Sequence, residues 1–495
     1  MTLSTTISTL LQDLKTDVLT PYSSDLIWII VLGFIFAFIL AFALGANDVA
    51  NSFGTSVGSG VLTLTSACIL ATIFEISGAI LLGDKVSATI RKGIVDISIY
   101  EGSEMALTLG YISTLSGCAI WLFIATYFKL PVSGTHSTVA ATVGYSLVAR
   151  GTKGINWVGL GKIVASWFIS PVLSGLISVV IFYIIQYAIM RRFNPLKAGL
   201  IGLPIIYGLT VFINVFGVTK DGPKMFYLDG LPLWVALVAS IVAGFFTALI
   251  VQLFVVPWTK KKLLQQRIDA KSISSVPSVL EKGSPNSNSV ASLESGVVQY
   301  NSQLQLTSVE KSSTKEEADQ LFNFLQILTA IFGSFAHGGN DVANAVGPLI
   351  ALWLVFSQGT VSNEPDSLST FLLLLYGGVG IAVGLWVLGR RVIETIGTGL
   401  TKITPSTGFT IEIGSACTVL LASKLGMPVS TTHCKVGSVV FVGYVNGRSK
   451  DVIADGEKPV NWKLFGAIAI SWIATVPAAL GFSALIMWIL SAIVL

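Results

Sequence analysis

Charge is scarce in this chain. Of its 495 residues only 11% are Asp, Glu, Lys or Arg, against about 25% in an average soluble domain. With 53% of the residues hydrophobic, that scarcity excludes a water-soluble globule of this size. Histidine is rarer still, with three in the chain, and cysteine occurs four times. Cys68, Cys118, Cys417 and Cys434 all fall in apolar segments, so they read as buried small hydrophobes and not as a disulfide framework or a metal site. There is no phosphate-cradling Gly-rich loop before a Lys-Ser/Thr pair and no nucleophile elbow. No basic stripe interleaved with aromatics is present for nucleic acid. The chain therefore reads as neither an enzyme nor a cofactor protein. A cleavable signal pattern is missing too, which leaves targeting to the first apolar helix.

What is abundant is uninterrupted apolar sequence. Residues 26–43, 234–257 and 371–388 carry no charge, and about 18 such residues cross a hydrocarbon core as a helix. Backbone groups in lipid must be satisfied within the segment, and these runs are too long for barrel strands. The expected fold is an all-α polytopic membrane protein with about 12 crossings. They lie near 26–58, 61–84, 106–128, 131–149, 162–190, 199–217, 231–257, 320–356, 368–389, 408–426, 430–446 and 463–493.

A polar gap from 259 to 318, rich in Ser, Gln, Asn and Lys, reads as a disordered linker. It opens with Lys260, Lys261, Lys262 and Arg267 directly after a spanning segment, which favours the cytoplasmic side. Arg191, Arg192 and Lys197, two crossings earlier, fall on the same side. Counting crossings in both directions places both termini outside.

The halves on either side of the gap repeat each other. Gly45-Ala-Asn-Asp-Val-Ala-Asn51 recurs as Gly338-Gly-Asn-Asp-Val-Ala-Asn344, and Pro131-Val-Ser-Gly-Thr-His136 recurs as Pro428-Val-Ser-Thr-Thr-His433. Asp48 precedes Pro131 by 83 residues and Asp341 precedes Pro428 by 87. Leu82-Gly83 is echoed between them by Leu388-Gly389. The first copy starts outside and the second starts from the cytoplasmic linker, so the repeat is inverted. Such repeats hold a shared site near the midplane, built by broken or re-entrant helices. The expected organisation is an extracellular segment 1–25, a first repeat 26–150, three linking helices within 162–257, a cytoplasmic loop 258–319, a second repeat 320–446 and a last helix 463–495.

Ionisable residues at membrane depth point to function. Asp48, between Asn47 and Asn51, and Asp341, between Asn340 and Asn344, lie among small residues that suit an unwound helix. Freed carbonyls and these side chains form the all-oxygen shell that a hard cation requires. Pro131 and Pro428 each end a helix before residues that cap the next one. Free N–H groups at such a helix start suit an anion. Ser133, Thr135, Ser430, Thr431 and Thr432 add hydroxyl donors, and Gly134 adds backbone only. His136, His337 and His433 all fall in these motifs, where a proton or hydrogen-bonding role suits them. Glu75 and Glu412 lie mid-helix and read as cation ligands or proton sites, or as buried structural partners of a lysine or of the backbone. Glu394 with Arg390 and Arg391 reads as a solvated membrane edge.

These motifs resemble the inorganic phosphate transporter (PiT) family, sodium–phosphate symporters with fungal and animal members. The stretches from Gly45 to Gly54 and from Pro428 to Ser438 are similar to the family's two signature halves. The resemblance implies about 12 helices, an inverted repeat and one phosphate site between the copies. It implies that Asp48 and Asp341 serve the coupling cation, sodium, and that Ser/Thr of 133–135 and 430–432 hold phosphate. Glu75 and Glu412 match acidic positions that the family needs. The implied function is cation-coupled phosphate symport by alternating access across the plasma membrane, with inorganic phosphate, sodium ions and the bilayer as partners and a homodimer compatible with it. Proton coupling, another tetrahedral oxyanion, and a phosphate sensor with little flux are the alternatives.

Overall fold

A computed structural model describes residues 20–220, 222, 226–228, 230–274, 314–360, 364–390, 392–393, 399–448 and 459–495. The expected N-terminal segment lies almost wholly outside the described residues, as do Arg391, Glu394 and most of the polar gap. Among the described residues the chain is helical, with a single isolated bridge between Val95 and Ile155. Nine of the helices are long and apolar enough to span a membrane.

In chain order the helices are α1 (Ile27–Asp48), α2 (Ala50–Gly58), α3 (Leu64–Lys92), α4 (Glu104–Tyr127), α5 (Gly134–Arg150), α6 (Trp157–Ile185) and α7 (Pro195–Thr219). Then follow α8 (Leu233–Ile250), α9 (Val256–Ser274), α10 (Phe322–Gln358), α11 (Ser367–Gly384), α12 (Pro405–Lys424), α13 (Thr431–Gly447) and α14 (Trp462–Val494). Of the expected crossings, those at α5, α12 and α13 do not meet the spanning criterion. They have 17, 20 and 17 residues, are rich in Gly, Ser and Thr, and are largely sheathed in protein instead of lipid.

Local chemistry sets the boundaries. Thr63, Ser133, Asn156, Asn194, Asp366, Ser430 and Asn461 each accept a hydrogen bond from a backbone N–H of the helix they start, the usual N-cap role. Pro195 and Pro405 open their helices, where their missing N–H costs nothing. Gly359, at φ 72°, ends α10 in the left-handed conformation.

Two expectations about irregular backbone need correction. The stretch around Asp341 does not unwind: α10 runs unbroken from Phe322 to Gln358, with Pro348 inside it. Around Asp48 the interruption is confined to Val49, between α1 and α2. Small residues there serve close packing instead. A Cβ on Gly338 would strike the carbonyl of Glu75, and one on Gly45 the carbonyl of Ile381. The polar gap is also not structureless throughout. Helix α9 continues through the lysine cluster to Ser274 and helix resumes at Thr314, because Lys, Gln and Leu are good helix formers.

The two ends of the bundle are identifiable. Tyr22 donates its N–H to the Phe356 carbonyl (2.7 Å), and Asn156 donates its N–H to the Ile94 carbonyl (2.9 Å). Glu364 pairs with Arg91 (2.7 Å) and Lys92 (2.6 Å) at this same end. At the other end Asp319, beside the linker, accepts from Ser406 N–H (3.1 Å), and Asn461 donates to the Leu400 carbonyl (2.9 Å). Helix α1 thus starts from the first end and α10 from the second. The chain is an all-helical multi-pass membrane protein.

Candidate functional site

The signature residues of both halves meet in the protein interior. Asn47, Asp48, Asn51, Asn340, Asp341 and Asn344 are 3% exposed or less. Gly134 lies between Asp48 of the first half and Asn344 of the second, which a Cβ there would meet at 2.8 and 3.5 Å. Helices α5 and α13 both start here, each after an extended Pro-Val-Ser segment. Ser133 accepts from His136 N–H and Ser430 accepts from His433 N–H, both at 3.1 Å.

The wiring matches between the halves. The Asn51 amide donates to Thr432 Oγ1 (2.8 Å), and the Asn344 amide lies 3.4 Å from Thr135 Oγ1. Thr135 donates to the Val429 carbonyl (3.0 Å), and Thr432 donates to the Val132 carbonyl (2.9 Å). Asn47 donates to Thr126 Oγ1 (3.0 Å) and to the Leu130 carbonyl (3.0 Å), and accepts from Val132 N–H (3.1 Å). Asn340, with its amide oriented to suit its neighbours, donates to the Val429 carbonyl (2.9 Å) and Asp341 Oδ1 (3.2 Å) and accepts from Ser423 Oγ (3.2 Å). Each copy's Asn-Asp helix is tied to its own Pro-Val-Ser turn, and the two turns are tied to each other.

Two aspartates in matching places have different surroundings. Asp48 Oδ2 accepts from Gly134 N–H (3.3 Å), and Oδ1 has no hydrogen bond. Asp341 Oδ2 accepts from Thr431 Oγ1 (2.8 Å) and lies 2.8 Å from His337 Nε2. His337 Nδ1 is 2.7 Å from Glu75 Oε2. Ser334 donates to Glu75 Oε1 (2.8 Å). Glu75, His337 and Asp341 thus form one buried chain. Glu412 lies apart from it, held by Thr55, Ser56 and Thr329 at 2.5, 2.6 and 2.7 Å.

Three buried oxygens of the motifs, Asp48 Oδ1, Asn51 Oδ1 and Asn344 Oδ1, have no hydrogen-bond donor. Buried acceptors without donors are costly, and oxygen-only surroundings suit a hard cation. The expected hydroxyl donors are placed at the helix starts but already engaged. Thr135 and Thr432 bond to carbonyls and Thr431 to Asp341. An anion here must exchange those bonds.

His136 and His433 meet edge-on, with ring centres 4.3 Å apart and the rings at 80°. His136 stacks on Trp167 and His433 on Trp472, both at 3.8 Å. Sequence reading missed these tryptophans, although Trp157, Trp167 and Pro171 recur as Trp462, Trp472 and Pro477. It also missed Thr126 and Ser423, each five residues before its proline. Thr55, Ser56, Thr329 and Ser334 carry no signal in one sequence, since they matter only for the carboxylates that α12 and α3 place beside them.

The chain is similar to known proteins along most of its length. A profile described as the phosphate transporter family matches residues 44–483. The chain is 37% identical to sodium-dependent phosphate transporter 1-A of Danio rerio, over 94% of this chain and 95% of that one. It is 38% identical to sodium-dependent phosphate transporter 2 of Xenopus tropicalis, over 94% and 98%. A solved structure described as the sodium-dependent phosphate transporter superposes with a TM-score of 0.76 at 35% identity, over 94% of this chain and all of that one.

Proposed function

This chain belongs to the phosphate transporter family, and from that premise we propose that it carries inorganic phosphate across the plasma membrane together with sodium ions, by alternating access around the paired motifs. The observation that carries the reading is the cross-wired centre, in which two buried aspartates and three donor-free oxygens lie beside two facing helix starts.

The need for cations follows from electrostatics. An anion entering a cytoplasm at about −100 mV works against about 2.3 kcal/mol per charge. A tenfold inward gradient adds about 1.4 kcal/mol. One cation cancels the charge of monovalent phosphate, and two make the transported cargo net positive, so that the potential assists. Asp48 and Asp341, with Asn47, Asn51, Asn340 and Asn344, are the residues for two such ions.

Phosphate then belongs at the starts of α5 and α13. Its oxygens would take the N–H of Gly134 and the hydroxyls of Ser133, Thr135, Ser430, Thr431 and Thr432. Binding exchanges the Thr135–Val429 and Thr432–Val132 contacts, which tie the halves together, for contacts to the anion. Releasing those ties frees one half to rock against the other. Cation binding at the aspartates frees Thr431 and Gly134 from the carboxylates and presents them to phosphate. His136 and His433 keep the two helix starts in register by stacking.

We also propose that the inverted repeat is longer than 26–150 and 320–446. The Asn-capped helices α6 and α14 place Trp167 and Trp472 in matching ring contacts, which supports units of six and five helices with α7, α8 and α9 as the link.

The test is uptake of labelled phosphate by the purified chain in liposomes with imposed gradients. Uptake should follow an inward sodium gradient at fixed pH. Uptake that follows a proton gradient and ignores sodium would overturn the coupling. Sulfate competing as well as phosphate would overturn the choice of anion.

A further inference from the structure

One buried charge has no place in this scheme. Lys435, in the second turn of α13, is 3% exposed and its Nζ makes no hydrogen bond. Asn51 of α2 donates to Thr432 (2.8 Å), one turn before Lys435, and Thr55, one turn beyond Asn51, donates to Glu412, so that Lys435 and Glu412 approach the same turn of α2. Helix α2 packs against both α12, which carries Glu412, and α13, which carries Lys435.

Glu412 is 0% exposed. Both of its oxygens already accept hydroxyl protons, two at Oε1 from Thr55 and Ser56 and one at Oε2 from Thr329. Those contacts stabilise a negative charge but do not cancel it, and an uncompensated buried charge costs several kcal/mol. A free sodium ion would need lone pairs converging around it. Here the three hydroxyls point their protons at the carboxylate. An ammonium on a flexible stem compensates the same charge without an ordered oxygen shell.

The acid and the base also appear together, in one half only. With His136 matched to His433, the counterpart of Lys435 is Thr138. With Thr126 matched to Ser423, the counterpart of Glu412 is Leu115. The first half has neither charge at these places.

We propose that Lys435 is a tethered cation that serves Glu412, so that this carboxylate takes no free sodium ion and the free ions carried with phosphate are those held by the two aspartates. Lys435 is thus a positioning and stoichiometry-setting residue, and the inference rests on the transport reading above.

The experiment compares wild type, Lys435→Met, Lys435→Arg, Glu412→Gln and the Lys435→Met/Glu412→Gln double variant in liposomes, with phosphate uptake read against sodium concentration. Lys435→Met leaves Glu412 to recruit an ion from solution, so the Hill coefficient for sodium should rise by about one and half-saturating sodium by about threefold or more. Glu412→Gln strands a buried ammonium and should lose about tenfold or more in uptake. The double variant removes both charges and should return the wild-type sodium curve, the non-additive signature of a pair. Lys435→Arg keeps the charge and should keep the curve. A Lys435→Met sodium curve matching the wild type, or a double variant as poor as the worse single one, overturns the proposal. If the single variants do not accumulate, melting of the double variant decides. A melt near the wild type supports the pair, and a double variant that also fails to fold overturns it. Wild-type uptake without sodium dependence would instead sink the transport reading, so the two failures are distinguishable.

Discussion

Asp48 and Asp341 occupy matching places in matching motifs, yet one is half-partnered and the other is wired into a chain. Asp48 has a free oxygen and one contact from a backbone N–H. Asp341 is bonded to Thr431 and Asn340 and touches His337, which touches Glu75. The position matching His337 in the first half is Leu44. Duplication has kept the neutral wiring of asparagines, threonines and carbonyls, while the charged groups have diverged. Neutral wiring holds two halves in a fixed relation. Charge decides what each half binds, and two identical charged sites would bind alike.

The largest test of that contrast is the pair of substitutions Asp48→Asn and Asp341→Asn. Each should reduce sodium-driven phosphate uptake by about 100-fold or more, equivalent to about 3 kcal/mol. They should differ in stability. Asp341→Asn removes the partner of His337 and unbalances a buried charged chain, which costs about 3 kcal/mol or more. It should therefore melt clearly below the wild type in detergent, while Asp48→Asn should melt close to it. Equal melting of the two would break the contrast, and wild-type uptake in both would remove the aspartates from the cation sites.

A second test probes what the halves share. A Cβ on Gly78 would strike the Phe335 carbonyl, and one on Gly384 the Phe42 carbonyl. These are matching crossings, α3 over α10 and α11 over α1. Small residues permit such close helix approach in membranes, and overpacking costs about 1–3 kcal/mol. Gly78→Ala and Gly384→Ala should lower the folded yield and melting temperature by similar amounts. A large loss at one and none at the other would mean that the scaffold is as asymmetric as the charges.

The same division explains how much was legible beforehand. The motifs around Asp48, Asp341, Ser133 and Ser430 were readable because duplication prints them twice at near-equal spacing. Their capping role follows from residue type alone. The continuity of α10 through Asn340–Asn344 was not readable, because glycine and alanine permit both an unwound turn and a close crossing. Only the carbonyl of Glu75, brought by α3, decides between them. The partners of Glu412 were hidden for a similar reason. Thr55, Ser56 and Thr329 are ordinary residues of apolar helices until a third helix sets a carboxylate beside them. The link between Glu75 and His337 spans 262 residues and has no local pattern.

The stacked histidines offer a smaller comparison. Trp472 Nε1 donates to the Pro131 carbonyl (3.2 Å), so it ties one half to the other's turn, whereas Trp167 Nε1 has no hydrogen bond. Trp472→Phe should cost about 1 kcal/mol more than Trp167→Phe, the net worth of one hydrogen bond. Thermal melting of the two variants measures the difference, and an equal cost would make the stacks energetically symmetric.

The smallest effect concerns the outer rim, where charge meets water. Glu364 is held by Lys92 and Arg91 and its side chain is 66% exposed. Partial burial pushes its carboxyl up, but the hydrogen bonds and charges of Lys92 and Arg91 outweigh that and hold it below the usual carboxylate range. A carboxyl lowered by folding adds stability above its unfolded value of about 4.3. That stability fades as pH falls through the lower, folded value. Because the pair is exposed, its worth is at most about 1 kcal/mol and shrinks with salt. Glu364→Gln should therefore melt slightly below the wild type at neutral pH and low salt. The gap should close once the pH has fallen through the lowered, folded value, where the wild-type carboxyl is protonated as well. Uptake should be unchanged, since the rim holds the ends of α3 and α10 together and carries no ion. A gap that persists in acid would show that packing of the Glu364 stem, and not its charge, secures the rim.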